Sequence, residues 1–566
     1  MAEAGAGEPV AQPQARAASA AAESAPTMRW WGWGDPEHPP GLPPHALGFL
    51  EQAIGPAGVP RAPVALSAVR LAPSSLDAAA LEALRAIVGG GQVRDGHEER
   101  VLHAAGRGYP DLVRLRAGEP EGAPDAVVLP GDSQELAALL ELCARRSVAV
   151  VPFGGGTSVV GGVEPLRGGH ASVIALDTRR MCEVLELDER SRTVRVGAGI
   201  RGPALERWLT ARGLTLGHYP QSFEYVSLGG CVATRSAGQA SSGYGAIEKM
   251  VVGLRMASPS GEIALAAQPA SAAGPSLRQL LIGSEGTLGV ISELSLRVRE
   301  APRERIYEGV FFKDFTAGTE ALRALAQRGA TPEVARLSDE AETRMSLALA
   351  GTGGAKGRLG RLYLRARGYG EGCLAILGYE GEPRATQARR ERGLEIVREA
   401  GGLSVGRSPG EAWLKGRFSA PYLRDELLTH GAMVETLETA TQWSNLAHLH
   451  AAVGGAIATA LRDGGTPGLV MCHVSHLYET GASLYFTFVA RQREGEELAQ
   501  WRAVKEAASR AIVEGGGTIT HHHAVGRDHA PWLGAEVGER GRAALRALKT
   551  ELDPTGIMNP GKLLGE

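Results

Sequence analysis

The sequence predicts a multidomain protein of mixed helix and strand, of the α+β or α/β class. Three observations lead there. The chain has 566 residues, too many for one hydrophobic core, so two or three domains are expected. Between residues 126 and 212, short apolar runs alternate with segments of helical spacing, the pattern of strands mixed with helices. After Glu300 long amphipathic segments take over, which marks a separate substrate domain starting near residue 301.

Composition narrows the class of partner. The chain is 43% hydrophobic and 22% charged with a net charge of −3, ordinary for a globular enzyme and no invitation to nucleic acid or an anionic surface. Cys143, Cys182, Cys231, Cys373 and Cys472 are scattered and form no Cys-x-x-Cys pair, which fits a reducing compartment. No apolar run is long enough to span a bilayer. The start lacks the basic-then-apolar order of a secretory signal, and Leu564-Gly565-Glu566 is no peroxisomal address. A cytoplasmic protein is expected.

Residues 1–28 carry Ala, Gly, Glu and Pro with few large apolar side chains and are expected to be disordered. A helical region over 29–120 follows. It opens on Arg29-Trp30-Trp31-Gly32-Trp33-Gly34, whose tryptophans must pack on the body of the protein. Leu76, Leu81, Leu84 and Ile87 have helical spacing and stop at Gly89-Gly90-Gly91.

Over 121–300 the expected strands are Ala126–Pro130, Val148–Val151, Ser172–Leu176, Thr193–Val196 and Leu294–Val298. Asp132 or Ser133 caps a helix running through Arg145, and Pro203 opens another reaching Arg212. In the cap region, 301–510, Asp314–Arg328 and Pro383–Glu399 read as helices, with Leu362–Arg365 and Ser483–Val489 as strands. The last segment, 511–566, carries His521-His522-His523 and a helix from about Arg540 to Leu552.

Three loops carry the chemistry. Pro152-Phe153-Gly154-Gly155-Gly156-Thr157-Ser158 follows the buried strand at 148–151. Glycine lets the backbone approach a ligand closely, and exposed amides beside the hydroxyls suit a pyrophosphate. The second region is Ser227-Leu228-Gly229-Gly230-Cys231-Val232-Ala233-Thr234-Arg235-Ser236-Ala237-Gly238, and the third is Gly283-Ser284-Glu285-Gly286-Thr287-Leu288-Gly289-Val290-Ile291. Together they predict an extended phosphate-bearing cofactor. The spacing does not match the dinucleotide fold in which Gly-x-Gly-x-x-Gly opens a helix.

The first and third loops, with Asp553-Pro554-Thr555-Gly556-Ile557-Met558-Asn559-Pro560-Gly561-Lys562, resemble the vanillyl-alcohol-oxidase-type (PCMH-type) FAD-binding flavoproteins. Within them the chain is similar to the alkyldihydroxyacetonephosphate synthase family. The residues that carry this are Gly217-His218-Tyr219-Pro220-Gln221-Ser222-Phe223-Glu224-Tyr225-Val226-Ser227, Arg336-Leu337-Ser338-Asp339, Glu435-Thr436-Leu437-Glu438-Thr439 with Trp443, and the histidine triplet. The resemblance implies an α+β fold: a two-subdomain FAD-binding domain, an α/β cap and a helical C-terminal segment completing the flavin site. It implies noncovalent FAD, since the first loop holds neither His nor Cys. It further implies acyl-dihydroxyacetone phosphate and a fatty alcohol as substrates in a redox-neutral ether-forming exchange. A homodimer and peripheral membrane contact are carried over from the same resemblance.

The implied cofactor contacts are Pro152, Phe153, Gly154, Gly155, Gly156, Thr157 and Ser158, then Gln221, Ser222, Ser227, Thr234 and Ser236, then Glu285, Gly286, Thr287, Gly289, Val290 and Ile291. The implied catalytic set is Tyr485 as acid/base, Arg424 and Arg336 for substrate binding and activity, and His521, His522 and His523 for proton handling at the flavin. In an extended segment His521 and His523 share one face. Histidine is also the commonest metal ligand, so a metal site, with His473 and His476 at hand, is the competing reading of the triplet, although no metal ligand is assigned. His473 and Gln221 depart from the family's Arg and Asp, and an FAD-linked oxidoreductase of 2-hydroxy acids is the alternative reading.

Overall fold

The computed structural model describes residues 28–35, 44–55, 60–350 and 355–565. The expected disordered tail therefore lies outside the described residues, except Met28, which is buried against Trp33 and Tyr225 and belongs with the tryptophan segment.

Two larger sheets build the first half, beside a two-stranded pairing of Leu214–Thr215 with Arg299–Glu300. In a four-stranded sheet, Ala126–Val128, Ser172–Asp177 and Val148–Phe153 run parallel, with Val93–Arg94 antiparallel at one edge. The helix Ser133–Arg146 covers it. The Asp132 side chain accepts from the amides of Gln134 and Glu135 at its start, and Leu136, Leu139, Leu140 and Cys143 share a core with Val148, Val150, Ile174 and Leu176. Parallel strands covered this way read as unbroken apolar runs. The C-terminal tail extends this sheet: Val150 donates to the Ile557 carbonyl at 2.8 Å and accepts from Asn559 at 2.9 Å. The second sheet is antiparallel, in the order Val184–Asp188, Thr193–Gly197, Val290–Arg297, Val251–Ser258, Gly261–Leu265. The third glycine loop feeds directly into its central strand.

The second half is one seven-stranded antiparallel sheet. Its order is Leu403–Gly406, Glu304–Phe312, Cys373–Gly381, Val334–Ser338, Leu469–Leu477, Gly481–Arg491, Ala432–Gln442. Leu484, Phe486 and Phe488 join the largest core, with Leu449, Val453 and Ile457 of the helix Leu446–Asp463 and Val504, Ala508 and Ile512 of the helix Glu497–Glu514. Tyr485, Thr487 and Val489 point the other way, into a cavity. The same alternation puts Cys472 and Val474 in the core and Met471, His473 and Ser475 in the cavity, as the two-residue period of a strand requires.

One expected strand is a helix. Leu362–Arg365 lies within the helix Ala355–Ala366. Its Leu359, Leu362, Tyr363 and Ala366 recur at helical spacing, and Leu, Arg and Ala are strong helix formers with no β-branched residue among them. A four-residue window catches too little of that period to tell it from alternation. The last helical stretch, Leu533–Leu552, is two helices meeting at Gly538, whose φ is 69°; the second agrees with the expected helix from about Arg540 to Leu552, and the first is unexpected.

Candidate active site

The first loop leaves its strand at Phe153 and is pressed against the second glycine region. A Cβ on Gly154 would stand 2.1 Å from the Ser227 hydroxyl, and one on Gly155 would stand 2.3 Å from the Tyr225 carbonyl. Only glycine fits either position. Ser227 caps the short helix Leu228–Ala233 by accepting from the Gly230 amide. The Ser158 hydroxyl accepts from the Gly162 amide at 2.9 Å, which closes the loop.

These loops form one arm of a cavity of about 540 Å³. Every residue expected to touch the cofactor lines it except Thr287. That side chain is 1% exposed and donates to the Ser284 carbonyl, so it braces the third loop from behind. The opposite arm is apolar, lined by Leu50, Met345, Leu349, Leu423, Leu427, Val434, Met471 and Val489. Between the arms stand Arg336, Arg424, His473, Tyr485, His522 and His523.

Tyr485 sits mid-strand with His473 paired across from it on one side and Glu438 on the other. Its ring stacks on His473 at 4.8 Å and on His522 at 6.0 Å, with His523 edge-on at 5.5 Å. Burial pushes its hydroxyl up to about 12 against the opposing hydrogen bond from Thr436, so it is protonated at neutral pH. Burial likewise pushes His521 and His522 down to about 4, so both imidazoles are neutral there.

The histidine triplet is shaped by Glu438. This carboxylate is 1% exposed. It accepts from the backbone amides of His521 at 2.5 Å, His522 at 3.0 Å and His523 at 2.8 Å, and from the Thr520 hydroxyl at 2.7 Å. Burial alone would raise its pKa, but the histidines and Thr520 hold it well below the usual carboxylate range. With the rings neutral at pH 7, its charge is met by the amide dipoles and the hydroxyl. Three successive amides aimed at one acceptor curl the backbone. The expected extended alternation is therefore absent: His522 and His523 line the cavity, and His521 lies off its lining. Two residues on, the Glu285 carboxylate accepts from the amides of Val525 at 2.8 Å and Gly526 at 2.6 Å.

Both expected arginines are held. The Arg424 Nε and Nη2 donate to Asp425 at 3.1 and 3.0 Å, and Nη1 donates to the Arg107 carbonyl at 2.6 Å. N–H donors remain on each Nη for a ligand. Asp425 also accepts from the Trp33 amide. The tryptophan segment is thus a packing anchor, as its composition suggests, and Trp33 additionally faces the cavity. Arg336 donates to Glu342 and contacts both ring nitrogens of His473, at 3.0 and 3.1 Å. Gln221 accepts from Gln239 at 3.1 Å and donates to the Arg417 carbonyl at 2.9 Å.

Among the described residues His476, His521 and His522 form a group with metal-ligating potential, their nitrogens within 4.8 Å of one another. The rings are already engaged: His476 with Ser241, His521 with Tyr478 and with His522. His476 and His521 also stack at 4.8 Å. Sequence reasoning missed Glu438, Glu342, Asp425 and Tyr478 as members of the site. Glu438 and Asp425 do have a signal: each is an acid beside a named site residue or within a motif the resemblance rests on.

Comparison with known proteins agrees with this geometry. Residues 124–266 match the family described as FAD binding domain, and residues 301–563 match FAD linked oxidases, C-terminal domain. The chain is 35% identical to the alkyldihydroxyacetonephosphate synthase of Dictyostelium discoideum over 84% of its length and 78% of that protein's. It is 32% identical to the one from Trypanosoma brucei brucei, over 95% of this chain and 92% of that protein. The chain belongs to the alkyldihydroxyacetonephosphate synthase family. A solved structure of a family member superposes with a TM-score of 0.82 at 30% identity, covering 94% of this chain and 98% of that one.

FAD is the cofactor of this family member, and the loops fit it. The Cβ positions of Gly154 and Gly155 are taken by the Ser227 hydroxyl and the Tyr225 carbonyl, which presses the two glycine regions together, and amides with the hydroxyls of Thr157, Ser158 and Ser227 would face a pyrophosphate there. Gly155→Ala is expected to give a folded protein that has lost most of its flavin absorbance after gel filtration. Full flavin retention would show that the first loop is not the cradle.

Proposed function

We propose that this protein is an FAD-dependent alkyldihydroxyacetonephosphate synthase, exchanging the acyl chain of acyl-dihydroxyacetone phosphate for a fatty alcohol, with FAD held noncovalently. The observation that supports it is the single cavity that joins a glycine-lined arm to an apolar arm through a polar centre. FAD supplies the isoalloxazine, at which a redox-neutral exchange takes place when it is bound. Arg424, with N–H groups to spare, binds the substrate phosphate, since a guanidinium donates paired hydrogen bonds to phosphate oxygens. Tyr485, protonated at neutral pH, donates a hydrogen bond to the oxygen of the departing carboxylate. Neutral His522, stacked beside it, accepts the proton lost from the substrate carbon, and the carbon regains one from the entering alcohol, so that each exchange leaves one proton on His522. His473, itself held by Arg336, stacks on the other face of the Tyr485 ring. The apolar arm takes the acyl chain and then the alkyl chain.

Acyl-dihydroxyacetone phosphate with labelled hexadecanol is expected to yield labelled ether lipid. Affinity for the alcohol should rise roughly tenfold for every two methylenes until the arm is filled, since each buried methylene contributes about 0.8 kcal/mol. Tyr485→Phe should retain flavin and lose activity by roughly a hundredfold or more. Flavin bleaching by a 2-hydroxy acid, with no labelled ether formed, would overturn this reading.

No helix among the described residues is long and apolar enough to cross a membrane. The lipid substrates are instead met at the surface of an anionic bilayer by the helix Ala355–Ala366. Its Leu359, Leu362 and Tyr363 are 66%, 64% and 50% exposed. Arg358, Arg361, Arg365 and the following Arg367 flank that face, and residues 355–367 contain no acid. Apolar burial beside basic residues is the chemistry of an interfacial helix. Replacing Leu359 and Leu362 with Asp is expected to abolish co-sedimentation with phosphatidylserine-containing vesicles. Undiminished co-sedimentation would refute the assignment.

A further inference from the structure

The exchange proposed above leaves a proton to be removed. An ester and an alcohol become an ether and a carboxylic acid, and at neutral pH the acid departs as its carboxylate. One proton is therefore set free per turnover, inside a cavity whose two arms are filled by the flavin and by an aliphatic chain. We infer that His522, His521 and Tyr478 form a proton relay from the cavity to the surface turn at residues 478–481. This rests on the proposed exchange.

The geometry is continuous. His522 lines the cavity, and its Nδ1 lies 2.9 Å from the Nδ1 of His521. That leaves Nε2 of His522 as its free nitrogen. His521 lies off the cavity lining, and its Nε2 meets the Tyr478 hydroxyl at 2.5 Å. Tyr478 is half-buried at the end of the strand Leu469–Leu477, where its amide donates to the Gly481 carbonyl and Glu479 and Thr480 are exposed. Its backbone is fixed there by the Trp443 indole, which donates to the carbonyls of Tyr478 and Glu479 at 3.2 Å. Every nitrogen of His521 is therefore in a hydrogen bond, one on the cavity side and one on the surface side.

Two carboxylates lie near the chain. The Glu438 carboxylate is 3.6 Å from Nδ1 of His522 and stabilises that ring while it carries a proton. Partly exposed Glu248, ion-paired with Arg235 at 3.0 Å, and buried Glu438 both act on Tyr478 and on His521. No step leaves a net charge behind. His522 takes the proton at Nε2 and gives up the one on Nδ1 to Nδ1 of His521. His521 releases its Nε2 proton to the Tyr478 oxygen, and Tyr478 passes its own to water. Both rings end as the opposite neutral tautomer, and reorientation resets them.

The test compares wild-type holoenzyme, Tyr478→Phe and His521→Gln with acyl-dihydroxyacetone phosphate and labelled hexadecanol. Phe keeps the ring that packs edge-on against His521 at 5.7 Å and removes only the hydroxyl. The relay predicts that each variant makes about one ether per flavin at the normal rate and then slows roughly tenfold or more. KM should stay unchanged, and added imidazole should restore the steady rate. A uniform loss without a burst, a loss confined to KM, or no loss in Tyr478→Phe would overturn the relay while leaving the exchange intact. Absence of labelled ether from the wild type would overturn the exchange itself, and the relay with it.

Discussion

The site depends on one buried carboxylate. Glu438 sits in the strand Ala432–Gln442, directly across from Tyr485, and gathers the amides of three successive histidines onto itself. Burying a carboxylate costs several kcal/mol unless donors replace the lost water, and hydrogen bonds to a charged group contribute about 1.5–3 kcal/mol each. Four such bonds offset the burial. They also fix the backbone from Thr520 to His523, and so decide which ring meets the cavity and which lies behind it.

Glu438 does not act alone. The segment it holds runs on to Val525 and Gly526, where Glu285 of the third glycine loop accepts two more amides. Asn559 of the tail donates to the Glu285 carbonyl at 2.6 Å and to Gly162 at 3.2 Å. One short stretch is thus suspended between a carboxylate from the seven-stranded sheet and one from the cofactor loops. This ties the face that carries Tyr485 to the loops that cradle the flavin. The two-residue period of the sheet does the rest. One set of strand residues builds the core, and the alternate set furnishes Tyr485, His473 and the apolar wall.

Much of the frame was legible in the chain. The buried strand at 148–151, which the structure extends to Phe153, and the capped helix after Asp132 declare themselves through an unbroken apolar run and a capping acid. The helix Pro383–Glu399 is delimited by its proline and its period. The glycine loops were legible because a backbone that must approach another so closely tolerates no Cβ. The helix at 355–366 was not, because its apolar side faces outward and mimics a short strand. The placement of the histidines was not legible either. It follows from a carboxylate more than eighty residues earlier in the sequence, and no local pattern encodes a contact of that range. Trp33 shows an intermediate case: composition required it to be packed, but only the fold places it against Asp425 and the cavity.

The most direct test of this account is the exchange rate of Glu438→Gln in flavin-loaded protein. The amide is nearly the same size but loses the charge and turns one acceptor into a donor facing backbone N–H groups. The account predicts normal flavin content with exchange reduced roughly tenfold to a hundredfold, as unpaired buried donors at about 1–3 kcal/mol would require. Exchange within twofold of wild type would show that the histidines are held in place by something other than Glu438.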